Sequence, residues 1–103
     1  MKFSNSIYKI TSKFPREELF GLVSQLNRAS VSISANIAEG SASVSTKEFK
    51  MFLGFSIRFG VEVISELFIA QERGYINNEF NNLYNIGELL IKRITAFKNS
   101  LNK

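Results

Sequence analysis

The run STKEFKMFLGFSIRFGVEVISELFIAQERG, from Ser45 to Gly74, decides the fold. Ser45 followed three residues later by Glu48 is the pattern of a capping box, in which both side chains satisfy backbone N–H groups left over at a helix start. Gly74 can take the left-handed conformation that commonly closes a helix. The spacing predicts one helix from Thr46 to about Arg73. Phe49, Phe52, Ser56, Phe59 or Gly60, Val63, Leu67 and Ala70 recur every three or four residues and form one stripe. Ile57, Val61, Ile64 and Phe68 form a second, rotated by roughly 100°, and Phe55 and Ile69 widen the apolar surface further. A helix in a monomeric bundle needs an apolar arc of only about 100° or somewhat more. This one has about twice that. The excess predicts a homo-oligomer, with Ile57, Val61, Ile64 and Phe68 at the subunit interface.

Outward from that helix, three more segments carry helical periodicity. Phe3, Ile7, Ile10 and Phe14 mark one face of a short first helix, with Lys2, Lys9 and Lys13 lined up on its flank. Pro15 ends it and suits the first turn of the next helix, where Glu17 and Glu18 meet a favourable dipole. Leu19, Leu22, Leu26, Ala29 and Ile33 then keep a seven-residue rhythm, with Ile37 close to register and Gly40 as the expected stop. The second half of this helix is rich in alanine and serine, which lets a neighbour approach closely. Asn36 continues the apolar rhythm, so it is expected to be a buried amide that fixes register through an interhelical hydrogen bond; a ligand contact is the alternative. Asn77 can cap a last helix whose seam is Phe80, Leu83 or Tyr84, Gly87, Leu90, Ile94, Phe97 and Leu101. Four amphipathic helices with short connections predict an all-α, up-down-up-down four-helix bundle, a single domain over residues 1–103.

Composition narrows the function. The chain has no Cys, His, Asp or Trp. Thiolate and imidazole metal sites, Ser-His-Asp or Cys-His catalysis and Glu-x-x-His di-iron centres are therefore unavailable. No enzyme activity and no cofactor are expected. Lack of cysteine fits a reducing cytoplasm, and the opening MKFSNSIYKI has no apolar stretch of the signal-peptide kind. The apolar-rich segment from Phe49 to Ala70 carries Lys50, Arg58, Glu62 and Glu66, which argues against a membrane span.

The net charge is +4, unevenly placed. Lys2, Lys9, Lys13 and Arg16 stand before any acid, and Lys92, Arg93, Lys98 and Lys103 follow the last one. Bundle topology makes the first and last helices neighbours, so the two basic ends should meet on one side and favour a phosphate-rich or acidic partner. Lys2, Lys9, Lys13, Arg16, Arg28, Lys92, Arg93 and Lys98 are the candidate nucleic-acid contacts, although Lys92, Arg93 and Lys98 do not share one line along their helix. No helix-turn-helix, RNP-type or zinc motif accompanies them.

Several segments, read in order, resemble a known family. They are Phe14-Pro15-Arg16-Glu17-Glu18, Ala29-Ser30-Val31-Ser32-Ile33 through Asn36-Ile37-Ala38-Glu39-Gly40, Lys47-Glu48-Phe49 with Phe52-Leu53, and Ile69-Ala70 before Gly74-Tyr75-Ile76. Together they look like the 23S rRNA intervening-sequence proteins, bacterial four-helix-bundle proteins of ribosomal type. The resemblance implies a left-handed bundle assembled as a ring-like homopentamer. A related branch, the accessory variability proteins of diversity-generating retroelements, implies a reverse transcriptase or other nucleoprotein, and nucleic acid, as partners. Against the usual pattern, Asn27 replaces a second Arg, Ser34 a common Pro and Arg58-Phe59 a Gly-Ser pair, and the first helix starts several residues late. The leading expectation is a non-catalytic oligomeric scaffold that binds RNA, or DNA, or a nucleoprotein electrostatically. The competing one is a protein-interaction module with an acidic polypeptide partner.

Overall fold

In the computed structural model, which describes residues 2–101, four α-helices form and no strand appears among the described residues. They are α1 (Lys2–Thr11), α2 (Ser24–Ser41), α3 (Thr46–Glu72) and α4 (Phe80–Ser100). Lys103, counted with the basic C-terminal end, lies outside the described residues. Each helix packs on the next, and α1 also meets α4. Phe3, Ile7, Ile10, Leu22, Leu26, Ile33, Leu53, Val63, Leu67, Ile76, Leu83 and Ile94 are among the side chains that share one buried core. Fully burying such a side chain stabilises by about 1.5–3 kcal/mol. These contacts outweigh anything the exposed charges contribute.

Both ends of α3 form as the sequence predicts. The Ser45 hydroxyl accepts a hydrogen bond from the Glu48 N–H at 3.1 Å. At the other end Gly74 takes φ +81°, the Tyr75 N–H reaches the Ala70 carbonyl at 2.9 Å, and the Gly74 N–H reaches Gln71 at 2.9 Å. This is a Schellman closure, and only glycine takes that φ without strain. The first stripe is the buried one, with Ser56, Gly60, Val63, Leu67 and Ala70 all enclosed.

Helix contacts here are set by glycines. At Gly60 a Cβ would stand 2.7 Å from Ile91 Cγ1, and at Gly87 one would stand 2.8 Å from Ile64 Cδ1. Each of α3 and α4 thus offers a notch to an isoleucine of the other. Gly40 plays the same part between α2 and α3, where a Cβ would lie 2.8 Å from both Phe49 Cδ1 and Phe52 Cβ. It is not the helix stop, because α2 runs on to Ser41.

The second helix begins later than expected. Pro15 leads into a 3-10 turn at Arg16–Glu18 and a wide π-type turn at Leu19–Val23, and regular α-helix starts at Ser24. Gly21 breaks the geometry with φ −107° and ψ −107°. Glu18 is tied sideways to the end of α3: its carboxylate accepts hydrogen bonds from Tyr75 Oη and Arg73 Nη1, both at 2.8 Å. Those bonds, led by the tyrosine hydroxyl, hold the Glu18 carboxyl below its ordinary range. The detour turns Leu19 and Phe20 outward, 50% and 93% exposed, so Leu19 leaves the seam where its rhythm places it. The last helix also starts late: no side chain caps it, and the Asn77 carbonyl rather than its amide meets the Phe80 N–H at 3.3 Å.

The polar contacts that fix register differ from the expected one. Asn36 is only half-buried, and its Nδ2 donates within α2 to the Ser32 carbonyl at 2.8 Å. An interhelical amide does exist, but at Asn27, whose Nδ2 donates to Thr11 Oγ1 at 2.9 Å and so joins α2 to the end of α1. The second interhelical bond is fully buried, Ser56 Oγ to the Ile33 carbonyl at 2.7 Å. Asn27→Ala and Ser56→Ala are each expected to lower stability by about 1 kcal/mol. Asn36→Ala should stay within about 0.5 kcal/mol, as surface substitutions usually do. Thermal melts of the three variants check the ranking.

Candidate nucleic-acid interface

The eight candidate cations do not form one cluster. Helix α1 runs antiparallel to α4, so its start meets the middle of α4 and its end meets the beginning. Lys2 and Arg93 are brought together around a hollow of about 200 Å³ floored by Phe3 and Leu90. Lys9 and Lys13 line a separate one of about 210 Å³, which they share with the carboxylate-bearing Glu79. Arg16 borders a third, of about 320 Å³, beside Tyr8, Pro15 and Leu19. Lys92 is turned to its own helix, 3.2 Å from Glu88 Oε1. Glu88 sits below its ordinary range, chiefly through a hydrogen bond from Tyr84 and then through Lys92. Arg28 is exposed on α2, and its charge reaches Glu66. Lys98 lies further along α4, away from α1.

Lys98 instead completes a hollow of about 610 Å³ between α3 and the end of α4. Lys47, Lys50 and Arg58 line it as well, and none of the three was among the candidates. Averaged over the middle of the chain they are cancelled by the acids; in space they are not. Lys47, Met51, Gly54 or Phe55, and Arg58 recur at helical spacing, and that pattern was the available signal.

The interface candidates divide too. Ile57 and Ile64 are partly buried by their own chain, with Ile64 seated at Gly87. Phe68 is 48% exposed yet packs its ring 5.0 Å from Phe80 and 5.6 Å from Tyr84 on α4. Val61 is 52% exposed. Tyr8 and Leu19, both exposed, line one hollow between α1 and the turn before α2, and the neighbouring Phe20 is exposed as well.

One buried acid has no place among these surfaces. Glu66 is 7% exposed, and its Oε1 has no hydrogen-bond partner. Burial raises its pKa to about 7, helped by repulsion from Glu62 and a hydrogen bond with it, and opposed by Arg28. Among the described residues no helix is long and apolar enough to cross a membrane, and no three acid side chains converge as a metal site.

Four helices around one core, with basic hollows between them, define a helical-bundle protein. Residues 1–96 match the family described as 23S rRNA-intervening sequence protein, and the chain belongs to that family. A search of curated proteins finds no match.

Proposed function

We propose that this chain is a non-catalytic, homo-oligomeric scaffold of the cytoplasm that binds RNA or a nucleoprotein through exposed basic side chains. The observation that carries the reading is the grouping of cations from different helices around shared hollows, Lys2 with Arg93 and Lys98 with Lys47 and Arg58. Charge of one sign in a concave surface concentrates polyanions. The lack of His, Cys and Asp supports a role without chemistry. Nothing is arranged to read base edges, so binding should be sequence-tolerant.

Filter binding of a mixed RNA pool tests this. Retention at low salt should fall steeply toward physiological salt, with a log-log slope of about −2 to −3 for three or four neutralised phosphates. No retention at low salt would remove the nucleic-acid reading. Arg16 at the edge of an apolar hollow favours a second reading, a protein-interaction module with an acidic polypeptide partner and no nucleic-acid role. Binding to that partner would survive nuclease.

Two separate apolar patches on one subunit suit a head-to-tail contact, which forms a ring where its rotation closes. The family resemblance adds a left-handed bundle and a pentamer. Wild-type protein is expected to sediment as an oligomer at micromolar concentration. Phe20→Glu combined with Val61→Lys should yield monomers of unchanged helicity, because both side chains already stand half or more in solvent. Ile64→Lys is a poor substitute, since Ile64 is seated at Gly87 within its own subunit. A wild-type monomer would sink the oligomeric reading.

A further inference from the structure

We propose that the hollow between α3 and the end of α4 is the main site for single-stranded nucleic acid, in preference to the basic face of α1. The proposal rests on the nucleic-acid reading above and gives it a location. Lys47, Lys50, Arg58 and Lys98 surround the hollow, with Glu48 as its one carboxylate. Lys50 already has a contact within the chain. Lys47, Arg58 and Lys98 have no ion pair among the described residues, unlike Lys92 and Arg73. The two hollows between α1 and α4 are each about a third of the volume, and Glu79 offsets the charge of Lys9 and Lys13.

The floor selects the strand form. Met51, Gly54 and Phe55 form it, and Met51 is 49% exposed. Gly54 is a glycine in the middle of a helix, which costs about 0.5–1 kcal/mol relative to alanine. No helix packs into the space it leaves; its nearest neighbour is the Lys98 side chain, 3.9 Å from where a Cβ would stand. The missing side chain keeps the floor open and lets Lys98 reach across. From Lys47 to Arg58 the helix rises about 16 Å, room for a short run of phosphates. Phosphates along a rim of cations, with bases set against Phe55 and Met51, is how single strands are held without sequence preference. A duplex keeps its bases stacked inside and would leave that floor unused.

The test uses fluorescence anisotropy with a labelled oligouridylate of about twenty nucleotides and the full chain at low salt. The variant Lys47→Glu/Arg58→Glu/Lys98→Glu should bind about tenfold or more weakly. Gly54→Leu, which fills the floor and keeps every charge, should weaken binding several-fold. Lys9→Glu/Lys13→Glu should change it by less than about threefold. If the triple reversal does not fold, Lys47→Gln/Arg58→Gln/Lys98→Gln takes its place. Full binding by the folded triple variant, with loss in the α1 variant, would overturn the proposal and leave the nucleic-acid reading standing. No binding by wild-type protein would instead end that reading, and the proposal with it. A duplex bound as tightly as the single strand, poly-glutamate bound as tightly as the oligonucleotide, or an oligomer that falls apart in the triple variant would each also overturn it.

Discussion

Gly40→Leu is expected to lower stability by about 1–3 kcal/mol, the usual range for forcing extra volume into a packed interface. For a domain of this size each kcal/mol moves the melting temperature by about 4–8 °C. The physical reason is the immovable neighbour. A Cβ at Gly40 would lie 2.8 Å from Phe52 Cβ, an atom fixed to the α3 backbone, so the two helices would have to separate. Helix propensity works the other way, since replacing glycine in a helix gains up to about 1 kcal/mol. Steric conflict wins at Gly40. At Gly54, where the nearest atom is the flexible end of Lys98 at 3.9 Å, propensity wins, and Gly54→Ala should stabilise by about 0.5–1 kcal/mol. Calorimetric melts of the pair measure both signs at once.

The second large effect concerns Glu66. Its folded pKa is raised from 4.5 to about 7, so the folded chain holds the proton more tightly than the unfolded one. Below about pH 4.5 both states are protonated and the native state carries no penalty. As pH rises toward 7 the unfolded state ionises first, and stability falls; above 7 the loss is complete. At 1.36 kcal/mol per unit the loss is at most about 3 kcal/mol. Glu62 on the same helix and Arg28 on α2 are the charged groups facing it, and they act in opposite directions. Glu66→Gln keeps the shape and removes the charge. It should melt higher than wild type at pH 8, by up to that amount, and match it near pH 4.5. Parallel melting curves for the two proteins across pH 5–8 would show that Glu66 does not titrate there.

Long-range periodicity carried most of the fold. The 27 residues of α3 have both a capping serine and a closing glycine within the sequence pattern, and both act as read. Local rhythm failed where a tertiary contact overrode it. Nothing in the spacing of Leu19 and Leu22 announces that Glu18 will be drawn to Tyr75 and Arg73, more than fifty residues away, or that Gly21 will absorb the detour. Asn36 and Asn27 illustrate the same difficulty for polar groups. Both lie on one helix, and only the position of α1 decides which amide bonds to a second helix. For the basic residues, counting charge along the chain located the two ends but missed Lys47 and Arg58. Lys47 stands beside Glu48 in sequence and Arg58 among apolar residues, whereas in space both share a hollow with Lys98.

The break before α2 also decides how the molecule comes apart. α1 has ten residues, fewer than the roughly 12–15 that an isolated helix needs to persist in water. It is joined to the remainder by a segment that includes the non-helical Gly21, and its main contacts are with α2 and α4. Its backbone amides are therefore protected mainly by docking, through Phe3, Ile7 and Ile10. Undocking leaves the backbone hydrogen bonds of α2, α3 and α4 in place, so α1 is expected to be the least stable cooperative unit, and its amide hydrogens should exchange ahead of those in α3.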